Sequence, residues 1–216
     1  MPLTNLIRDG FVDLGEYCPG EDGDFAAAQL AVDFHIRVWR ATESLTANAA
    51  HTKPLNTYGG NFGLGRIPLH TDMANWAVPP RFLMLRCTVG ASTVTTPLLH
   101  HRELMSGISQ VAIDRARFRL RRPLSGEMFL VRMLHQGIFR WDELFLVPDN
   151  AAAFRVRAEV EASLTKARAK EVVLERPAHT ILIDNWAVLH GRSEVPAHAL
   201  HRKVERAYFT EANDGA

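Results

Sequence analysis

Cysteine is scarce in this chain of 216 residues, which has only Cys18 and Cys87. At most one disulfide can form, so a disulfide-stapled scaffold is excluded, and both cysteines read as reduced thiols. An excess of charge of one sign is also missing. Lys and Arg number 25 against 24 Asp and Glu, a formal net charge of +1. That balance gives no global reason to expect nucleic acid or an anionic membrane as partner. Apolar runs such as Phe129-Leu130-Val131 are too short to span a bilayer. The opening MPLTNLIRDG lacks a basic-then-apolar signal sequence, so a cytoplasmic protein is expected. Internal repeats and low-complexity tracts are missing as well.

What is present is a large apolar fraction, 47% of residues, enough for one domain over 1–216 with a sizeable core. Asp24 to Leu45 reads as a helix, with Phe25, Leu30, Phe34, Val38 and Leu45 on one face and Asp24 as cap. Thr52 to Gly65, rich in Gly, Asn and Thr, reads as loop. Strands are expected over Arg81–Cys87, Thr93–Leu99, Val111–Leu120, Met128–His135 and Ile138–Val147, then over Glu171–Leu174, Thr180–Asp184 and Val204–Thr210. A helix is expected over Asn150–Ala169, with Phe154, Val156, Val160 and Leu164 as its apolar face. Many short strands with few helices predict a mainly β fold with flanking helices, built on a jelly-roll core of the double-stranded β-helix type.

The chemistry concentrates in two stretches. The first contains Pro68-Leu69-His70-Thr71-Asp72, and the second runs from Asp184 through His190 to Arg192. On an extended strand, residues i and i+2 share a face, so one metal ion can touch both His70 and Asp72. With His190 they make two imidazoles and one carboxylate, a set that suits Fe(II) with open coordination positions. A structural zinc would more often recruit thiolates, and neither cysteine stands near these motifs. Arg202 follows His190 by twelve positions.

Four ordered motifs carry a resemblance. They are Gly63–Asp72 followed by Pro79-Pro80 and a strand; Gly90-Ala91-Ser92-Thr93; Asp184-Asn185 with His190 and Arg192; and Arg202 with Arg206 on a closing strand. Together they resemble the taurine dioxygenase-like (TauD/TfdA-type) family of Fe(II)- and 2-oxoglutarate-dependent oxygenases, over most of the chain. The resemblance implies that His70, Asp72 and His190 hold Fe(II). It implies that Arg202 and Thr93 bind the distal carboxylate of 2-oxoglutarate, and that Arg206 lies near the cosubstrate's other end or the prime substrate. A guanidinium suits a carboxylate because it is planar, permanently charged and bidentate. The implied cofactors are Fe(II), 2-oxoglutarate and dioxygen (O2), with succinate and carbon dioxide as products. The implied reaction is hydroxylation, desaturation or cyclisation of a small metabolite, such as an amino-acid derivative. Relatives that transfer halide lack the carboxylate that Asp72 supplies, so oxygenation is expected.

Substrate residues are less marked. Asn75 and Trp76 follow the first two ligands, and Arg66 precedes them. Asn56, Tyr58 and Asn61 in the Gly-rich loop form a candidate lid, and Arg140 and Trp141 are further candidates. The region between Asp72 and His190 is shorter than in relatives, which leaves room for a pocket completed by a second subunit, hence a homo-oligomer. Arg115, Arg117, Arg119, Arg121 and Arg122 read as a charged edge strand, and His100-His101 as the start of a short surface helix. The alternative function is a non-catalytic jelly-roll protein that binds or senses metal.

Overall fold

The computed structural model describes residues 2–48, 57–121 and 129–212. Along the chain the elements are α1 (Pro2–Asp9), β1 (Phe11–Glu16), α2 (Gly23–Asp33), β2 (Ile36–Thr46), α3 (Tyr58–Phe62), β3 (Ile67–His70), β4 (Phe82–Val89) and β5 (Thr95–His100). There follow α4 (His101–Met105), α5 (Gln110–Arg115), β6 (Phe118–Leu120), β7 (Leu130–Val131), β8 (Leu134–His135), β9 (Ile138–Phe139) and β10 (Leu146–Pro148). The chain closes with α6 (Ala151–Leu164), β11 (Lys170–Val173), β12 (His179–Asp184), β13 (Val188–Arg192) and β14 (Lys203–Glu211). Asn56 and Arg122 lie outside the described residues. Among the described residues no helix is long and apolar enough to cross a membrane.

Two antiparallel sheets organise the molecule, one ordered β1-β12-β4-β14-β2 and one ordered β11-β5-β13-β3. Alternation along the strands explains how they pack. Leu83, Leu85 and Cys87 of β4, Ile181 and Ile183 of β12, and Val204 and Tyr208 of β14 point into a core shared with Leu98, Val172 and Val188 of the smaller sheet. The intervening Phe82, Met84, Leu182, Ala207 and Phe209 point the other way, onto Leu6 of α1 and Ala27 and Leu30 of α2. Leu99 and Leu189 face outward from the smaller sheet into a second core with Leu104, Ile113, Val156 and Val160. Strands β4 and β12 are therefore buried on both faces, which is why they read as continuous apolar runs.

The expected helix over Asp24–Leu45 is half right. Asp22, not Asp24, caps α2, its side chain accepting from the Phe25 N–H at 2.8 Å. The helix stops at Asp33, and His35 turns the chain at φ +52°. Ile36–Thr46 then pairs with β14 as an edge strand. Its β-branched residues favour that pairing, and a strand partner overrides helical spacing. Asp24 ties the two elements together instead, accepting from the Thr42 N–H at 2.8 Å.

Val111–Leu120 is likewise divided. Gln110–Arg115 is helical, with Ile113 buried, and only Phe118–Leu120 is strand. The basic run is therefore not one strand face. Arg117 wraps the end of α5, donating to the carbonyls of Asp114 and Ala116, and Arg121 reaches the Leu144 carbonyl. On α6, Ala153 joins Val156 and Val160 inside, whereas Phe154 stands 62% exposed. His100 caps α4, whose Leu104 is buried, so this helix is only partly at the surface.

Gly191 lets β3 approach β13. A Cβ there would sit 2.7 Å from the Ile67 carbonyl oxygen and 3.3 Å from that of Pro68. These neighbours are backbone and cannot swing aside. Gly191→Ala should cost about 1–3 kcal/mol, the usual penalty of overpacking. An unchanged urea midpoint would show that the strands do not need this close approach.

Candidate metal centre

In the antiparallel pairing of β13 with β3, His190 stands directly opposite His70. Opposed residues point to the same side of a sheet, and here that side is the interior. The rings lie 4.6 Å apart between centroids. Asp72 completes the group, with Oδ1 at 3.3 Å from His70 Nε2 and 3.7 Å from His190 Nε2. One donor atom from each of the three buried residues lies within 4.8 Å of the other two.

Asp72 does not arrive there by strand alternation, as the sequence had suggested. Strand β3 ends at His70, and Thr71 pairs with the backbone of Trp141, donating to its carbonyl at 2.9 Å. Asn185 then clamps the Asp72 peptide. Its Oδ1 accepts from the Asp72 N–H at 2.7 Å, and its Nδ2 donates to the carbonyls of Asp72 (3.0 Å) and Pro80 (2.9 Å). Met73, at φ +55°, turns the chain away immediately afterwards. Asn185 is fully buried, so the clamp works where water cannot compete.

The donor set is poised for a divalent ion. His70 Nδ1 lies 2.9 Å from the Pro68 carbonyl, which places a proton on that nitrogen and turns Nε2 inward toward Asp72. Tyr58 covers the same imidazole, stacked at 3.7 Å between centroids. His190 Nδ1 is buried without a hydrogen-bond partner. Burial pushes the His190 imidazole down to about 3 against the opposing charge of Asp72, so it is neutral. Burial also depresses His70, but the hydrogen bond and charge of Asp72 outweigh it and the net direction is upward. Desolvation pushes Asp72 up, but the charge of Arg206 and the hydrogen bond and charge of His70 outweigh it, and Asp72 moves well below the carboxylate range. Two buried imidazole nitrogens and an ionised carboxylate, with no thiolate, fit an Fe(II) ion.

The second carboxylate oxygen is occupied. Asp72 Oδ2 accepts from Tyr208 Oη at 2.5 Å and from Arg206 Nη1 at 3.2 Å. Arg206 Nη2 in turn donates to Glu43 Oε2 at 2.9 Å. Arg202 is different: half-buried, it pairs with no carboxylate among the described residues, and its Nε, like that of Arg206, is buried without a partner. Burial lowers its pKa, and no carboxylate compensates it. Arg192, beside the metal strand, donates from Nη2 to the Gly63 and Gly65 carbonyls at 2.6 Å each and so holds the loop that enters β3.

The remaining sequence candidates scatter. Thr93 is exposed, with Oγ1 3.2 Å from His198 Nε2, and stays apart from the triad. Arg66 is exposed. Asn75 and Trp76 are half-buried, and Trp76 meets Trp39 edge to face at 5.3 Å. Arg40 covers both indoles, at 4.5 and 5.7 Å. Arg140 and Trp141 are buried, Arg140 donating to the Ala77 carbonyl at 2.7 Å and so bracing the loop after Asp72. Sequence reading missed Tyr208, Trp39 and the stacking of Tyr58 on His70. Only the even spacing of Tyr208 from Arg206 on one strand could have signalled the first.

No family model and no curated protein matches this sequence. Solved structures do. An asparagine oxygenase in complex with Fe(II), 3-hydroxyasparagine and succinate aligns with TM-score 0.70 at 18% identity, over 98% of this chain and 78% of that one. The non-heme iron oxygenase OrfP, in complex with Fe and alpha-ketoglutaric acid, aligns with TM-score 0.68 at 16% identity, over 98% and 78%. The PvcB protein from Pseudomonas aeruginosa aligns with TM-score 0.65 at 16% identity, over 96% and 78%. At these identities the likeness is one of fold: this chain shares the fold of the asparagine oxygenase, of OrfP and of PvcB.

Two outcomes follow from the geometry. Asn185→Ala leaves two buried carbonyls and one N–H unpaired, and should cost about 2–4 kcal/mol of stability and about 10–100-fold in metal affinity. Denaturant melts and metal titration measure the two separately. Metal must displace a proton from His70 but not from His190. Affinity should therefore fall as pH drops through a point above the ordinary imidazole value of about 6.5, with about one proton released per metal. Calorimetry in buffers of different ionisation heat counts those protons; a release near two would contradict a neutral His190.

Proposed function

We propose that this protein is an Fe(II)- and 2-oxoglutarate-dependent oxygenase of the taurine dioxygenase-like type. It is read as one domain, with the facing sheets forming a double-stranded β-helix. The observation that carries the reading is the convergence of His70, Asp72 and His190, three buried residues whose donor atoms lie within 4.8 Å of one another. The fold shared with oxygenases solved with iron, alpha-ketoglutaric acid and succinate supports it.

Bound Fe(II) with 2-oxoglutarate and dioxygen supplies the oxidation of an unactivated C–H bond, with release of succinate and carbon dioxide. The chain's own residues bind, orient and exclude water. His70 and His190 present Nε2 lone pairs, and Asp72 presents Oδ1. Arg202, a half-buried guanidinium with no carboxylate partner among the described residues, would meet the distal carboxylate of 2-oxoglutarate, which matches it in charge and shape. Thr93 would join that carboxylate only after its hydroxyl leaves His198. Trp39 packs edge to face on Trp76 and on Tyr208, whose hydroxyl meets Asp72, and Asn75 precedes Trp76 on the loop after Asp72; these would line the substrate side. The prime substrate is a small metabolite, with amino-acid derivatives the first class to screen, since the neighbours were solved with hydroxyasparagine and hydroxyarginine. Localisation is taken as cytoplasmic.

Anaerobic addition of Fe(II) and 2-oxoglutarate tests this directly. A weak visible charge-transfer band should form and vanish when oxygen enters. His70→Ala and Asp72→Ala should abolish it. Arg202→Ala should raise the 2-oxoglutarate concentration for half-formation about 10–100-fold, as expected for loss of a charge-assisted bond. A wild type that binds iron yet gives no band would be a metal-binding or sensing protein.

A further inference from the structure

The two oxygens of Asp72 have divided surroundings. Oδ1 faces the histidine Nε2 atoms at 3.3 and 3.7 Å. Oδ2 faces the phenol of Tyr208 at 2.5 Å and the guanidinium of Arg206 at 3.2 Å. A free carboxylate can grip a metal through one oxygen or through both. The two-oxygen mode would consume one of the positions a three-residue triad leaves open. It would also require Oδ2 to turn away from its donors. We propose that Tyr208 is a positioning residue that fixes Asp72 as a one-oxygen ligand and thereby keeps a coordination position free for cosubstrate. The inference rests on the metal centre proposed above.

Tyr208 suits the role better than Arg206. It is 4% exposed, so no water competes for its hydroxyl. Its ring packs against Trp39 at 6.1 Å and among the core residues between the sheets, which fixes where the hydroxyl points. Strand pairing locks it on both sides, opposite Leu83 of β4 and Arg40 of β2. Its contact with Asp72 is a short, charge-assisted O–H···O bond in a dry setting. Arg206 makes the longer contact and divides its donors with Glu43, whose side chain is 61% exposed. That guanidinium is free to trade partners, whereas the phenol has one acceptor within reach.

The test loads wild type, Tyr208→Phe and Arg206→Met with Mn(II) and measures water-proton relaxivity, which scales with the number of exchangeable waters on the metal. Tyr208→Phe keeps the ring and its packing and loses only the hydroxyl. Its relaxivity should fall by about one third, as one of three open positions closes, while Arg206→Met should stay near wild type. A purely structural role would lower the melting temperature and leave relaxivity alone. Unchanged relaxivity in Tyr208→Phe, or a fall in Arg206→Met instead, overturns the proposal. Wild-type protein labelled with carbon-13 aspartate needs no variant: its infrared difference spectrum on metal binding should show the widely split stretches of a one-oxygen carboxylate, and a two-oxygen pattern also overturns the proposal. Failure of wild type to take up Mn(II) or Fe(II) at one per chain would instead defeat the metal centre itself.

Discussion

The centre depends on a buried carboxylate. Asp72 is 7% exposed and stays ionised in an interior otherwise built from Leu, Ile and Val. An isolated charge there would be prohibitive, so the surrounding structure must answer it. Tyr208 and Arg206 answer one oxygen, and the two imidazoles frame the other. Removing any of these leaves the charge short of donors rather than merely loosening a contact. The strands that carry them, β3, β13 and β14, are thus bound to one another by electrostatics as well as by their ladders.

The geometry comes from the backbone before it comes from the side chains. Pairing of β13 with β3 sets His190 across from His70, and Gly191 permits the approach. Asn185 sits at the turn between β12 and β13, so one residue joins the segment that leads to His190 with the peptide of Asp72. Asp184 beside it lies within 3.3 Å of the Arg81 guanidinium, and burial raises its pKa against that charge. Ligands distant in sequence are therefore linked through a few rigid amide contacts. This is what holds donor atoms in position before a metal arrives.

The group His70, Asp72 and His190 was legible as residue types in two motifs, but the reason given for the first pair was not the one the fold uses: β3 ends at His70, and Asn185 positions Asp72. Strands β4, β5, β12 and β14 were legible from their apolar, β-branched runs. What sequence could not disclose is tertiary. Ile36–Thr46 has apolar residues at helical spacing, and only its partner β14 makes it a strand. Val111 to Arg115 became helix because Ile113 packs into the second core. The pairing of Tyr208 with Asp72 joins residues from opposite ends of the fold, and no local pattern marks it. Strand alternation did suggest that Arg202 and Arg206 share a face, yet it could not say which of them meets Asp72.

That difference between the two arginines is the most functional distinction in the site. A buried guanidinium without a counter-charge costs free energy in the folded protein. Arg206 directs Nη1 and Nη2 to two carboxylates and spends its charge within the protein. The Nε of both is buried without a partner, but Arg202 spends none of its charge on a carboxylate among the described residues. His190 Nδ1 is unpartnered too, but it lies behind a ring whose other nitrogen faces the ligand set. Arg206 on β14 thus answers the carboxylate of Asp72, whereas Arg202, one residue before that strand, meets no carboxylate among the described residues.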